Sequence, residues 1–397
     1  MHWKRAAPGH TRDSTPPAAR VIICLMQKAM GRIYSAIFIL LLMATQTAAA
    51  DWERSVALYN KGEYRAALAE FQDLTHEQPD AAGAWYYIGL CEFKLKRYER
   101  VETPLTRAID LLEIQSPSSA DIASAWYTIG ISHYLVSHYD KAIEPLKRYL
   151  ELTSKAKREV DPTARTALGR AYYHLERYDD AAPLLAAATG DKANVSTTEK
   201  AKDNAANYYY LGAIYFKRED DDRAIAALRE AAKANTEDTA PLDLLAESLL
   251  RKARKTNTSA LWTEAALVGE RLRGLRDDQQ TANVLGRAYF GARQFDKAVA
   301  PLEKLAKANV DNGQAWLLYG IALSRSGQMR KAMEALEITI QLLPDSAAAL
   351  AELGYVYESD KQYQQALRIY QKAYAATGDP AMKSNVERVR ALASQQP

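Results

Sequence analysis

Small and large apolar residues recur along the C-terminal half of this chain at a fixed interval, with polar residues between them. From Asn312 to Pro344 the pattern runs Trp316, Gly320, Met329, Ala332 and Leu336, and it returns at once as Gly354, Tyr363, Ala366 and Tyr370. Gly286, Gly320 and Gly354 stand 34 residues apart, and an alanine follows each after twelve positions, at Ala298, Ala332 and Ala366. A period of this length with small residues at fixed offsets predicts stacked helical hairpins, each burying its apolar face on its neighbours. The small positions let the two helices of a hairpin approach closely, and the large ones fill what space remains. A trailing Pro lacks the N–H that would continue the second helix.

The same grid extends upstream with looser spacing. A first repeat carries Trp52, Gly62, Tyr64, Ala67, Phe71 and Pro79. The second carries Trp85, Gly89, Tyr98, Leu105 and Ala108, with Val101 at the small position, and the third Trp126, Gly130, Tyr139, Ala142 and Leu146. Gly169, Tyr178, Ala181 and Leu185 hold the fourth, where Asp161-Pro162 reads as a cap and first turn. The fifth has Gly212, Ala224 and Leu228, with Asp221 where an aromatic residue is usual. The sixth is the most irregular: Ala246 keeps the small position, but Thr256-Asn257-Thr258 interrupts the pattern before Trp262 and Ala265. Residues 381–397 follow the array, with Val386, Val389 and Leu392 on one face of a capping helix. Extra residues at Gln115–Ala120, Leu152–Asp161, Thr189–Lys202 and Arg254–Ala260 read first as longer helices with loose turns, and second as accessory surface.

These residues resemble the tetratricopeptide repeat, whose consensus runs Trp, Leu-Gly, Tyr, then Gly, Tyr, Ala, a large apolar residue, Ala and Pro. The resemblance covers residues 51–380 and implies an all-α, right-handed superhelical solenoid of about nine hairpins with a C-terminal capping helix. It also implies that the first helix of each hairpin lines a concave face. The family's inward positions fall on Tyr86, Leu90 and Phe93, on Tyr127, Ile131 and Tyr134, on Arg170 and Tyr173, and on Tyr209 and Phe216. Further on they become more polar, with Asn283, Arg287 and Phe290, then Leu317, Ile321 and Arg325. Tyr and Arg anchor protein interfaces because they bury large area at small entropic cost. The stripe from Tyr86 to Phe216 is therefore expected to hold a segment of a partner protein. The family's basic-and-Asn clamp for a terminal carboxylate is not reproduced at Tyr86, Leu90, Tyr127 and Ile131.

Composition narrows the setting. Residues 33–44 form an apolar run behind Lys28 and Arg32, and Ala48-Ala49-Ala50 precedes Asp51. That is the layout of a secretory signal peptide over residues 30–50, cleaved after Ala50. As an uncleaved anchor the run falls short of the roughly 20 residues that span a bilayer. Residues 1–29 are basic and patternless, consistent with translation starting at Met30 or Met26. A periplasmic or secreted chain is expected, with membrane contact only through the signal segment.

The formal net charge of +3 belongs to that leader. Removing its six Lys and Arg and its one Asp from 52 and 49 leaves 46 basic residues against 48 acidic ones. Such balance argues against non-specific nucleic-acid binding. Beyond the leader Cys91 stands alone, so no internal disulfide forms there. It reads as a small core hydrophobe.

Nothing in the sequence resembles a catalytic constellation. The body's histidines are His76, His133, His138 and His174; His133 and His138 stand five apart and do not share a helix face as metal ligands would. Glu219–Asp222 lacks the Gly and distal Glu of a calcium loop and reads as a solvated turn. No cofactor is expected. The expected function is a non-catalytic protein-interaction scaffold of the cell envelope. A self-associating architectural array is the second reading, and an enzyme with an unrecognised site a distant third.

Overall fold

The computed structural model describes residues 51–190, 198–233 and 237–395. The extension at 1–29, the signal peptide at 30–50 and the middle of the Thr189–Lys202 addition lie outside the described residues. Every described element is helical, and the chain divides at Val160/Asp161 into two compact units.

The first unit holds three hairpins. Helix α1 (51–60) pairs with α2 (Tyr64–Glu77), α3 (Ala82–Lys94) with α4 (Glu102–Gln115), and α5 (Ala120–Leu135) with α6 (Tyr139–Lys155). A 3₁₀ turn at Tyr98–Arg100 leads into α4, in the repeat where Val101 fills the small position. The second unit holds six hairpins and a cap. Its pairs are α7 (Pro162–His174) with α8 (Tyr178–Gly190), α9 (Thr198–Lys217) with α10 (Asp221–Ala232), and α11 (Ala240–Thr256) with α12 (Ser259–Leu275). They continue with α13 (Gln279–Gly291) and α14 (Phe295–Ala308), α15 (Gly313–Arg325) and α16 (Met329–Leu342), and α17 (Ala347–Ser359) and α18 (Tyr363–Thr377). The cap is α19 (Pro380–Ala393).

One close approach repeats in hairpin after hairpin. A Cβ on Gly89 would lie 2.3 Å from Leu105 Cγ, and one on Gly130 2.6 Å from Leu146 Cγ. Gly169, Gly212, Gly286 and Gly320 meet Leu185, Leu228, Leu302 and Leu336 in the same way, and Gly354 meets Tyr370. The partner always stands sixteen residues on, so glycine is required by the leucine of the second helix pressing on the first. Ala298, Ala332 and Ala366 are fully buried at the second small position.

Eight hairpin turns also share one backbone geometry. Gly62 and Gly327 have positive φ, and so do Lys96, Ser137, Glu176, Glu219, Arg293 and Lys361 at the equivalent positions. Each turn residue donates its N–H three residues back and the next residue donates five back, as Gly327 to Ser324 (3.1 Å) and Gln328 to Leu323 (2.9 Å). Helices α2, α4, α6, α14, α16 and α18 then start without a side-chain cap, while Asp220 caps α10; the first helices α7, α13, α15 and α17 are capped by Asp161, Asp278, Asn312 and Ser346.

Two expectations change. The Thr256–Thr258 stretch closes the sixth hairpin: α11 and α12 are each 17 residues long, and left-handed Asn257 turns between them. The additions at 115–120, 152–161 and 254–260 are thus longer helices with loose turns. The cap starts at Pro380 and buries Val386, Val389 and Ala393, while Leu392 stays half exposed. A 100° step per residue puts position 393, not 392, in line with 386 and 389.

Candidate functional site

The expected stripe of aromatic residues is divided between the two units. In the first, Tyr86 is only 9% exposed and its hydroxyl donates to Ser124 Oγ at 2.8 Å. Ile131 is 7% exposed. Both pack into the core and are unavailable to a partner, which corrects the expectation for these two positions. Leu90, Phe93, Tyr127 and Tyr134 remain half-buried, each with some surface open.

Part of the stripe serves the hairpin turns. Aromatic residues five apart close across them: Phe93 on Tyr98 (ring centroids 5.6 Å), Tyr134 on Tyr139 (5.9 Å), Tyr173 on Tyr178 (5.8 Å) and Phe290 on Phe295 (5.5 Å). The i, i+5 spacing was visible in the sequence, but its meaning needs the left-handed turn that folds one ring onto the other. The same turn brings His133 and His138 to 6.1 Å although they share no helix face. His133 Nε2 lies 3.3 Å from Glu102, and burial lowers its pKa against the opposing pull of that carboxylate. Among the described residues no three His, Cys, Asp or Glu are arranged to hold a metal ion. Cys91 is fully buried, and burial pushes its thiol up to about 12, so it behaves as core.

In the fifth hairpin Asp221 replaces the second ring of the pair. It is not a solvated turn residue: it is 7% exposed, with Arg251 Nε at 2.5 Å and Lys255 Nζ at 3.2 Å. The Arg251 guanidinium lies 4.2 Å over the Phe216 ring and donates to the Phe216 carbonyl at 3.1 Å. A cation from the next hairpin thus takes the missing ring's place, held by the carboxylate. Phe216 is accordingly half covered.

Arg170 is also committed to the fold. Its guanidinium donates to Asn207 Oδ1 (3.0 Å) and to Asp203 O and Oδ1 (3.0 and 3.2 Å), under the Tyr210 ring at 5.5 Å. It therefore ties the fourth hairpin to the fifth and has little left to offer a ligand. Tyr173 packs edge-on to Tyr210 at 4.8 Å, and Tyr209 is half-buried beside it.

An open groove lies elsewhere in the second unit, along α13. A groove of about 670 Å³ is walled by Arg254 and Asn257 from the sixth hairpin, by Asn283, Arg287, Phe290 and Arg293, and by Asn312, Gln314 and Leu318. Trp262 and Phe295 also line it. That volume lies in the range of ligand sites, about 300–1,000 Å³. The lengthened sixth hairpin forms one wall, and Gly291 allows it: a Cβ there would sit 2.2 Å from the Trp262 ring. Asn283, Arg287 and Phe290 were expected to face inward, and they do line the groove. Arg254, Asn257 and Trp262 were missed because the sixth repeat departs from the grid, and Arg293 because it lies in the turn after α13, outside the inward positions.

Comparison with known proteins follows the same grid. The tetratricopeptide repeat profile matches residues 53–111, 127–196, 166–239, 283–338 and 320–380. Among curated proteins none matches the chain. Solved structures similar to it include MamA (41-end) from Desulfovibrio magneticus RS-1, 20% identical with a TM-score of 0.37, over 49% of this chain and 97% of that one. The C-terminal part of a TPR repeat-containing protein from Cytophaga hutchinsonii is 17% identical with a TM-score of 0.40, over 66% and 99%. The TPR2AB domain of yeast Sti1, in a complex with pHSP90, is 18% identical with a TM-score of 0.33, over 70% and 100%.

Proposed function

We propose that this chain, which belongs to the tetratricopeptide repeat family, is a non-catalytic scaffold that receives segments of partner proteins on the first helices of its hairpins. The observation that carries this reading is the groove along α13, with its half-buried aromatic floor and polar rim. Phe290 and Trp262 supply apolar area, while Asn283, Asn257 and Gln314 supply groups that can pair with an extended backbone. In the first unit, Leu90, Phe93, Tyr127 and Tyr134 offer a second, more apolar surface.

The reading places the scaffold at the cell envelope, in the periplasm or outside the cell, on the strength of residues 30–50. Among the described residues no helix is long and apolar enough to cross a membrane. Sequencing of the mature N-terminus should begin at Asp51; retention of residues 30–50 would remove this placement.

Photo-crosslinking tests the binding surface. A photoreactive side chain at Phe290 or Tyr127 should give discrete protein adducts in envelope fractions. The same group at Leu267, which is 67% exposed on a second helix, should give none. Equal adducts at all three positions, or none from a folded chain, would reject groove binding.

A further inference from the structure

The groove along α13 carries an unbalanced charge. Arg254, Arg287 and Arg293 line it, and none of its lining residues is acidic. Elsewhere in this unit several cations on the first helices are neutralised: Arg251 and Lys255 by Asp221, Lys252 by Asp222, Arg325 by Glu352. Of the three arginines in the groove, only Arg287 has an internal counter-charge, Glu247 at 3.0 Å, itself 43% exposed. Arg254 and Arg293 form no ion pair among the described residues. Two unpaired arginines thus stand beside a third in a groove whose lining supplies no carboxylate, in a chain where acids slightly outnumber bases beyond residue 50. A concave, partly apolar site also strengthens a charge that it does not pair.

We infer that the groove selects partner segments rich in acidic side chains, with apolar residues between the acids. This rests on the groove being the partner-binding surface. The cations are spread out: Arg287 is on α13, Arg293 lies six residues later beyond the helix end, and Arg254 comes from α11. The three guanidiniums come from separate stretches of backbone, so more than one carboxylate can pair with them. Several carboxylates along one chain fit this spread, while Phe290, Trp262 and Leu318 take the intervening apolar side chains. The recognised group is therefore an internal acidic run and not a free chain end.

Fluorescence polarisation with the full chain tests this inference. The probes are a twelve-residue peptide alternating Glu with Phe or Leu, its Gln-for-Glu twin, and the acidic peptide with an amidated C-terminus. The acidic peptide should bind about tenfold tighter than its Gln twin, as expected for at least one charge-assisted contact. Amidation should leave its affinity unchanged, and added salt should weaken it. Substituting Arg254→Gln and Arg293→Gln together should remove that advantage, bringing the two peptides to within about twofold of each other. Circular dichroism should confirm unchanged helix content in the double variant. Equal binding of the two peptides, or an acidic preference that survives the double substitution, overturns acidic selection and leaves groove binding standing. Binding of neither peptide overturns both. Loss on amidation, or equal binding of an oligonucleotide of the same charge, overturns recognition of internal acidic side chains.

Discussion

Replacing Gly89 by alanine brings two opposing effects into one site. The gain is helix propensity, about 1 kcal/mol for Gly to Ala in a helix interior. The cost is contact, because the new Cβ would lie 2.3 Å from Leu105 Cγ and 2.4 Å from Cδ2. Rotation about χ2 leaves Cγ in place and packing around the fully buried side chain holds χ1, so α4 must shift, at about 1–3 kcal/mol for overpacking. Gly89→Ala alone should therefore destabilise by about 0–2 kcal/mol, which by itself decides little. Leu105→Ala should cost about 2–5 kcal/mol, since Leu105 is fully buried. In the double variant the clash is gone and the propensity gain remains, so it should be about 1 kcal/mol more stable than Leu105→Ala. The coupling energy then equals the overpacking term, about 1–3 kcal/mol in favour of the double variant. Urea unfolding followed by circular dichroism, with amide exchange in α3 and α4 to locate the effect, measures all four corners of the cycle. Gly274→Ala serves as control, because nothing lies within 4 Å of its Cβ position, and it should stabilise by about 0.5 kcal/mol. Coupling below about 0.5 kcal/mol would be ordinary additivity scatter and would refute the claim that leucine contact demands the glycine.

Three further outcomes follow from the geometry. Substituting Lys96, Glu176 or Lys361 by Gly relieves a left-handed residue and should stabilise by about 0.5–1 kcal/mol each in thermal melts, whereas the same change at exposed helical Lys147 should destabilise. Arg251→Gln should cost about 3–5 kcal/mol by leaving Asp221 buried with only Lys255 beside it; Asp221→Tyr with Arg251→Leu, which restores a ring pair on Phe216, should recover much of that loss. Burial lowers the pKa of both His133 and His174, so the unfolded chain binds protons first as pH falls. Their contribution should be complete above about 6.5, the unfolded value, and lost as pH falls through the lower folded values; the melting temperature should drop between these limits, and less so in a variant with Asn at both positions.

The grid of glycines and alanines was legible in the sequence because sterics leave few alternatives there. A leucine sixteen residues on excludes any side chain at Gly320, and the period follows. Tyr86 and Ile131 were misplaced for a related reason. The family's inward positions rotate across the boundary between groove and neighbouring hairpin, and periodicity cannot say on which side a given side chain falls. Asp221 looked like a solvated acid because its partner Arg251 stands 30 residues away, a distance at which no local pattern speaks. The α13 groove was hidden where the pattern was weakest. Its wall comes from the lengthened α11 and α12, which register in the sequence as noise.

The sixteen-residue contact has a consequence for how such a chain changes length. In seven hairpins it closes within the hairpin, so each of these is a cassette that carries its own steric lock. Loss of residues 313–346, a 34-residue cassette, would join Asn312 to Ala347 and leave every remaining glycine facing its own partner. Asn312 would cap α17 as Ser346 now does. The groove beside α13 would not be preserved, because Leu318 would give way to Glu352 and Gln314 to Ala348. Gene-level gain or loss of one cassette thus spares the architecture while rewriting the lining of the groove, and a single unequal crossover can give an old scaffold a new surface.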